Sequence, residues 1–389
     1  MNIAFVSAVL PYPLHSGGQV RIFNLLKRLA VIHEITLYAF IRSEKEKEFL
    51  SELSFCKKVI PIYRGRAWQL QYLLRALFSS WPFLYATYKQ KELQQLLAKD
   101  GATFDLIHIE PSYVYPVVVD TTTPLVVAEH NIEHAVYEGY ANTFLFKPFR
   151  PVLQWDVSKM KKWQSKIWNA ASVVVAVSND DASYIEKNSL QKKITVVPNG
   201  VDVDFFTYKP KKKISTDSLT FLYVGNFSWI QNTDAIEYIL ESVWGPLVKQ
   251  YPKAVFKVVG KHFPKKLRSK LVDSVHVIDI VEDIRSEYYN ADILLAPIRI
   301  GGGTRYKVLE AMACGLPVIT STLGASGLQI MHGKELYIAD TSDDVLHYTH
   351  ELLSGEKRGK LVSNARSRIE MSYSWETITK IQDECWKSL

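Results

Sequence analysis

The sequence predicts an α/β protein of two Rossmann-like domains, each a doubly wound parallel sheet. Three observations predict it. Short runs rich in Val and Ile alternate with longer amphipathic stretches, the mark of strands buried on both faces with helices between them. The alternation runs through the first half of the chain and then restarts. The chain has 389 residues, too many for one core at roughly 150 residues per domain.

In the first half the strand-like runs are Ile3–Val6, Ile35–Phe40, Val59–Ile62, Leu106–Ile109, Leu125–Ala128 and Val173–Val177. Gly18–Ala30 and Glu44–Leu53 show helical spacing between them. A βαβ alternation of this kind makes an open parallel sheet. Val196-Val197-Pro198-Asn199-Gly200-Val201-Asp202 reads as a strand end and a turn,. The basic stretch Lys209-Pro210-Lys211-Lys212-Lys213 has linker character, which places a hinge near residues 190–215,. New strands are expected at Thr220–Val224, Val255–Val259, Val275–Ile278, Ile293–Ala296 and Pro317–Thr320. The stretch from Tyr373 to Leu389 is amphipathic, with Ser374 placed to cap it,. The expected division is 1–195, 196–370 and a terminal helix over 371–389, which comes after the second alternation is complete.

Composition narrows the function classes. Hydrophobic residues are 47% and charged residues 22%, which excludes disorder, collagen and a disulfide scaffold. No apolar run approaches the ~18 residues of a spanning helix. The opening Met-Asn-Ile-Ala-Phe-Val lacks a basic leader and ends at Pro11, so it reads as a first strand rather than a signal peptide,. Cys56, Cys314 and Cys385 fit no metal or redox spacing and suit a reducing cytoplasm,. The net charge of +7 favours an anionic partner,.

The strongest local signal runs from Ala296 to Ala313. A strand ends at Pro297, Gly301-Gly302-Gly303 make a tight loop, and a helix is expected to start near Thr304. Free N–H groups at a helix N-terminus, with the helix dipole, form an anion site. Arg305 and Lys307 add charge beside it,. Glu310 follows on the same helix, and a carboxylate there suits a diol such as a ribose,. One element thus offers donors for a diphosphate and an acceptor for a sugar.

A second glycine loop, with Gly17 and Gly18, follows the first strand and leads into a helix. It is neither a G-x-G-x-x-G fingerprint nor a P-loop. His130 and His134 match the zinc-peptidase pattern H-x-x-E-H, which needs both on one helix face,. They follow the strand Leu125–Ala128, so His130 is expected at a strand's C-terminal edge, where open α/β sheets bind ligands. Its alternative readings are a metal ligand or a packed histidine. Two basic aromatic stretches, Arg64 to Lys91 and Lys147 to Trp168, suit either a membrane interface or helices that bury Trp and solvate Lys,. The second of these is the expectation.

These residues together resemble glycosyltransferase family 4, retaining enzymes of the GT-B fold. The resemblance rests on the Gly17-Gly18 loop, His130, Ala176-Val177-Ser178, the hinge motif Pro198-Asn199-Gly200-Val201-Asp202, the run Leu309-Glu310-Ala311-Met312-Ala313-Cys314-Gly315-Leu316-Pro317-Val318, and Tyr373-Ser374-Trp375-Glu376. It implies two domains facing a cleft, a final helix crossing back to the first domain, and sugar transfer from a nucleotide-sugar donor to a glycan or lipid-linked acceptor. By position it implies catalytic roles for His130, Arg305 and Lys307. It implies donor contacts from Gly17, Gly18, Asn199, Val281, Gly302, Gly303, Thr304, Arg305, Tyr306, Lys307 and Glu310. No metal or other cofactor is expected, nor a nucleic-acid partner. Peripheral association with the inner membrane face is a secondary expectation.

Three positions depart from the family's pattern. The first Glu of the usual E-x7-E pair falls at Gly302. The usual phosphate-binding Arg and Lys, after the first strand of the second domain, fall at Asn226 and Gln231. Arg305 and Lys307 are therefore expected to supply the replacement charge. Two other readings stay open at this point, a nucleotide-sugar epimerase of the same fold and a non-catalytic nucleotide-sugar-binding partner.

Overall fold

Two parallel sheets form, one in each half of the chain. The computed structural model describes residues 1–117, 122–143, 146–191, 193–211, 214, 218–301 and 305–389. The chain divides into two compact units, Met1–Pro198 with Ile378–Leu389, and Asn199–Thr377.

The first unit holds β1 (Asn2–Ser7), β2 (Glu34–Ile41), β3 (Lys58–Tyr63), β4 (Leu106–Glu110), β5 (Leu125–Ala128), β6 (Val173–Ala176) and β7 (Ile194–Val196). All pair parallel, in the order β3-β2-β1-β4-β5-β6-β7. The centre is apolar for the reason the runs suggested: Ile3, Ala4, Val6, Val126, Val127 and Val174 are fully buried, with sheet on either side of them and helices above and below,. The final helix, Trp375–Lys387, places Trp386 in this unit, where its Nε1–H donates to His108 Nδ1 at 3.1 Å.

The second unit holds β8 (Thr220–Val224), β9 (Val255–Val259), β10 (Val275–Ile278), β11 (Ile293–Ala296), β12 (Val318–Thr320) and β13 (Tyr337–Ile338), again parallel, in the order β10-β9-β8-β11-β12-β13. The helix Tyr306–Cys314 ends at Gly315, whose φ of +81° is the left-handed cap that glycine adopts without strain,. The hinge motif packs on the start of the final helix: Val201 N donates to Tyr373 O at 2.7 Å, and Trp375 N donates to Val201 O.

Some elements differ in kind or length from the expectation. Glu44–Leu53 is a 3-10 helix, since its acidic first turn and poor apolar face leave little to bury,. The first helix runs Gly17–Leu29, and the helix expected from Thr304 begins at Tyr306. β13 was not anticipated, because two residues carry no periodicity,. Lys212 and Lys213 of the expected linker lie outside the described residues.

Candidate functional site

In the first sheet the chain runs outward from β1 to β3 and then returns to β4. The edge between β1 and β4 is therefore the topological switch point, where open α/β sheets hold ligands,. Gly17 and Gly18 follow β1 and open the Gly17–Leu29 helix, whose N-cap Ser16 accepts from Gln19 N. Glu110 ends β4, and His130 stands two residues beyond β5.

These residues form one network. Arg21 Nε donates to Glu110 Oε1 at 2.7 Å, and both side chains are buried. Arg21 Nη1 also donates to the carbonyls of Val197 and Pro198 at 2.9 and 2.8 Å. His130 Nε2 lies 2.7 Å from the same Glu110 oxygen, and His108 Nε2 lies 3.2 Å from Oε2. Desolvation pushes the Glu110 carboxyl up, but the Arg21 charge and the two histidine bonds outweigh it and hold it well below the usual range,. An ionised carboxylate only accepts, so the His130 proton resides on Nε2 and Nδ1 is the nitrogen left for a ligand. His108 is fixed the same way: the Trp386 indole donates to its Nδ1, so Nε2 carries the proton,. Burial lowers the His108 pKa and keeps it neutral. Gly18 lies under the His130 ring. A Cβ at Gly18 would stand 3.1 Å from His130 Cε1 and 3.2 Å from Nδ1.

His134 engages different partners, with Nδ1 2.7 Å from Gln164 Oε1 and Nε2 2.8 Å from the Tyr184 hydroxyl. The two imidazoles of the H-x-x-E-H run thus serve separate networks, which leaves the metal reading without the shared face it requires. Two carboxyls flank His130. Burial pushes Glu129 up to about 7, against bonds donated by Trp168 Nε1 and Gln164 Nε2. Burial and the Glu129 charge push Glu133 up to about 8.

In the second sheet the switch point lies between β8 and β11,. After β11 the loop reaches Gly301. Gly302, Gly303 and Thr304 lie outside the described residues. Arg305 is buried at the N-cap of the Tyr306–Cys314 helix, and its Nη2 donates to Gly301 O at 2.7 Å, which ties the two ends of the glycine loop together. Tyr306 follows, half-buried.

Lys307 reaches the turn after β8. Its Nζ donates to Asn232 Oδ1 at 2.7 Å and sits 3.9 Å from the Tyr223 ring centroid. The Tyr223 hydroxyl donates to the same Asn232 oxygen, and Asn232 Nδ2 donates to Asn226 O at 2.8 Å. Desolvation and the neighbouring Arg305 charge hold the Lys307 ammonium well below the usual lysine range, with Glu310 opposing. Asn226 organises the turn by accepting from Ser228 N, and Gln231 packs against Gly301. The lysine amine thus meets the first turn of the helix Ile230–Tyr238 that follows β8, one residue past Gln231.

Among the described residues Glu310 is held by Tyr288, whose hydroxyl donates to Oε2 at 2.6 Å. Burial raises the Glu310 carboxyl, with Tyr288 and Lys307 opposing. Elsewhere in this unit Asn199 is buried in the hinge motif, and Val281 packs half-buried against the core. Each unit therefore carries its own share of the expected residues: Gly17, Gly18 and His130 in one, Asn199, Val281, Arg305, Tyr306, Lys307 and Glu310 in the other.

Sequence reasoning passed over Arg21, His108, Glu110, Tyr288 and Asn232. For two of them a signal existed. His108 and Glu110 alternate within the apolar run Leu-Ile-His-Ile-Glu, and a strand buried on both faces holds ionisable groups only if they are paired,. Tyr288 carries no local signal.

Residues 15–205 match the family model described as Glycosyltransferase Family 4, and residues 218–354 match that of Glycosyl transferases group 1. An uncharacterized 44.6 kDa protein in the cps region of Klebsiella pneumoniae is 24% identical over 96% of each chain. A lipopolysaccharide 1,2-N-acetylglucosaminetransferase of Salmonella typhimurium is 22% identical over 57% of this chain and 63% of its own. Among solved structures, a sucrose-phosphate synthase from Thermosynechococcus elongatus aligns over 100% of this chain and 99% of its own, with a TM-score of 0.76 and 15% identity. Anabaena HepE in complex with UDP aligns over 100% of both chains at 0.70 and 15%. The fold is that of the GT-B transferases.

Proposed function

The chain belongs to glycosyltransferase family 4, and from that premise we propose that it moves a sugar from a nucleoside-diphosphate-sugar donor to a glycan or lipid-linked acceptor, with retention and without a metal. The observation that carries this reading is the single helix Tyr306–Cys314, which aligns Arg305 at its N-cap, Lys307 at its second position and Glu310 one turn on. Cations and N–H donors near the N-terminus suit a departing diphosphate. The Glu310 oxygen not held by Tyr288 suits a ribose hydroxyl,.

In the proposed reaction the bond from the anomeric carbon to the phosphate oxygen breaks as the acceptor oxygen bonds to that carbon. The acceptor proton passes to the departing phosphate oxygen on the same face, which accounts for retention. Arg305, Lys307 and the helix N-terminus stabilise the charge that develops on the diphosphate. His130, with Nδ1 unengaged by Glu110, is the first unit's contact to the transferred sugar. The relatives named for a cps region and for lipopolysaccharide favour a cell-surface polysaccharide acceptor, and the UDP-bound neighbour makes UDP-sugars the first donors to try.

The test is calorimetry with UDP, GDP, ADP, dTDP and their sugar conjugates, with and without EDTA. One diphosphate should bind regardless of EDTA, and Glu310→Ala and Arg305→Ala should abolish that binding. If none binds, the transferase reading fails. Consumption of donor without acceptor would replace it with epimerisation, and donor binding that never turns over would replace it with a non-catalytic role.

A further inference from the structure

The helix Leu70–Leu77 is built the wrong way round for water. Its buried face holds Tyr72 and Ala76, yet Leu70, Leu74 and Leu77, spaced i, i+4, i+7, line its opposite face in solvent,. Trp68 precedes it at 79% exposed and Phe78 follows it at 84%. Gln71 and Arg75 stand off this stripe, so the helix is amphipathic with its leucine face turned outward, and a continuous apolar face of this kind is ordinarily covered by protein or lipid,. The expectation of buried rings holds for Tyr72, Tyr85, Tyr88 and Trp168, while Trp68, Phe78 and the three leucines are left outside.

The patch is continuous with a second exposed apolar strip. Trp68 packs tilted against Phe83, with ring centroids 4.9 Å apart, and Phe83 N donates to Asp156 on the helix Arg150–Ala170. One residue before Asp156 lies Trp155, with Phe149 just ahead of the helix, both about half exposed. Lys159 Nζ, which donates to Ala76 O, ties this helix to the Leu70–Leu77 helix.

The rim is cationic. Between Glu52 and Glu92 the chain has no Asp or Glu but seven Lys or Arg, of which Arg64 is buried, Lys57 pairs with Glu34 and Arg75 donates to the carbonyls of Ala86 and Lys89. Lys89 sits 4.5 Å from the Trp81 ring, Trp81 stacks on Trp163 at 3.9 Å, and Lys166 lies 4.9 Å from Trp163. Apolar side chains framed by amphipathic rings and cations match the layering of a bilayer surface, with acyl chains below and anionic headgroups above.

We propose that this face of the first unit docks on an anionic lipid bilayer, with Leu70, Leu74, Leu77, Phe78 and Trp68 inserted at the headgroup boundary and Lys89 and Lys166 contacting lipid phosphates. It uses none of the residues assigned to the donor site or to the His130 network, and it stands whether or not the transferase reading holds. Among the described residues no helix is long and apolar enough to cross a membrane, so the association is peripheral,.

The test is co-sedimentation of the full chain with phosphatidylcholine vesicles, pure or containing roughly a third phosphatidylglycerol. Binding should require the anionic lipid and weaken at least about tenfold between about 50 and 500 mM salt. The triple variant Leu74→Gln, Leu77→Gln, Phe78→Ser should lose binding, also about tenfold or more, as should Lys89→Glu with Lys166→Glu. Because all five residues are at or near the surface, unchanged circular dichroism and nucleotide binding should accompany the loss. Absence of binding to anionic vesicles at low salt overturns the proposal. So does light scattering that finds a dimer which the triple variant converts to monomer, since a second copy would then cover the face.

Discussion

His130 Nε2 lies 2.7 Å from Glu110 Oε1, and the same oxygen accepts from Arg21 Nε at 2.7 Å. One buried carboxylate thus joins the histidine beyond β5 to the helix that follows the first glycine loop. The two partners predict different failures. Glu110→Gln leaves the Arg21 guanidinium buried without its counter-charge, and should cost about 3–5 kcal/mol of stability. His130→Ala removes a side chain at the rim and should leave the melting temperature nearly unchanged while transfer slows about 10²- to 10³-fold. Denaturant melts and donor-saturated rates on the two variants separate these outcomes.

Gly18→Ala should act on His130 while leaving that residue itself unchanged. The helical backbone accepts alanine, but the new Cβ would press on the imidazole at 3.1–3.2 Å. The expected result is intact stability with kcat lowered about tenfold, since small displacements of an aligned group are costly. Wild-type turnover would place the reacting sugar away from this ring.

Tyr288→Phe removes the hydroxyl that holds Glu310 Oε2 at 2.6 Å. Without that donor the carboxyl, already raised by burial, rises further and orients less well,. Donor affinity should fall roughly fivefold to tenfold, the effect of about one hydrogen bond. Glu310→Ala should lose more. Calorimetric titration of the preferred nucleotide measures both.

Lys307 sits desolvated against Asn232 and Tyr223, so an arriving diphosphate should draw a proton onto its amine. Titrations in buffers of different ionisation enthalpy should reveal proton uptake on binding, and Lys307→Met should abolish that uptake and weaken binding about tenfold or more. Gln231→Lys, which places an amine beside Gly301, should restore part of the affinity in the Lys307→Met background. No rescue would mean the missing family cations are not replaced from this helix.

Glu129 and Glu133 set the pH response of the first unit. Their folded pKa values, about 7 and about 8, lie above the ordinary carboxyl value of 4.5. The folded state therefore holds more protons than the unfolded one, and stability falls as pH rises through these values. His108 and His134, lowered by burial, act in the opposite direction only below their ordinary value of 6.5. Lys307, held well below the usual lysine range, runs the other way but is common to wild type and variant, so from pH 7 to 9 the wild type should lose melting temperature relative to Glu133→Gln, by about 2–4 °C per kcal/mol relieved,. A wild-type curve as flat as the variant's would refute the assignment.

Some of this protein was written into short-range sequence. Buried parallel strands must be continuous apolar runs, so Ile3–Val6 or Ile293–Ala296 announce themselves, and the restart of the pattern announces a second unit,. Glycine loops that lead into helices, and the spacing of Arg305, Lys307 and Glu310, are local as well. Tertiary structure decided which partners these groups meet. Glu110 and Arg21 are far apart in sequence and become neighbours only because β4 returns beside β1 at the switch point. Tyr288 reaches Glu310, and Lys307 reaches Asn232, by the same kind of crossover. The outward turn of Leu70, Leu74 and Leu77 was likewise invisible, because periodicity marks an apolar stripe but not which side of the helix the rest of the fold will cover,.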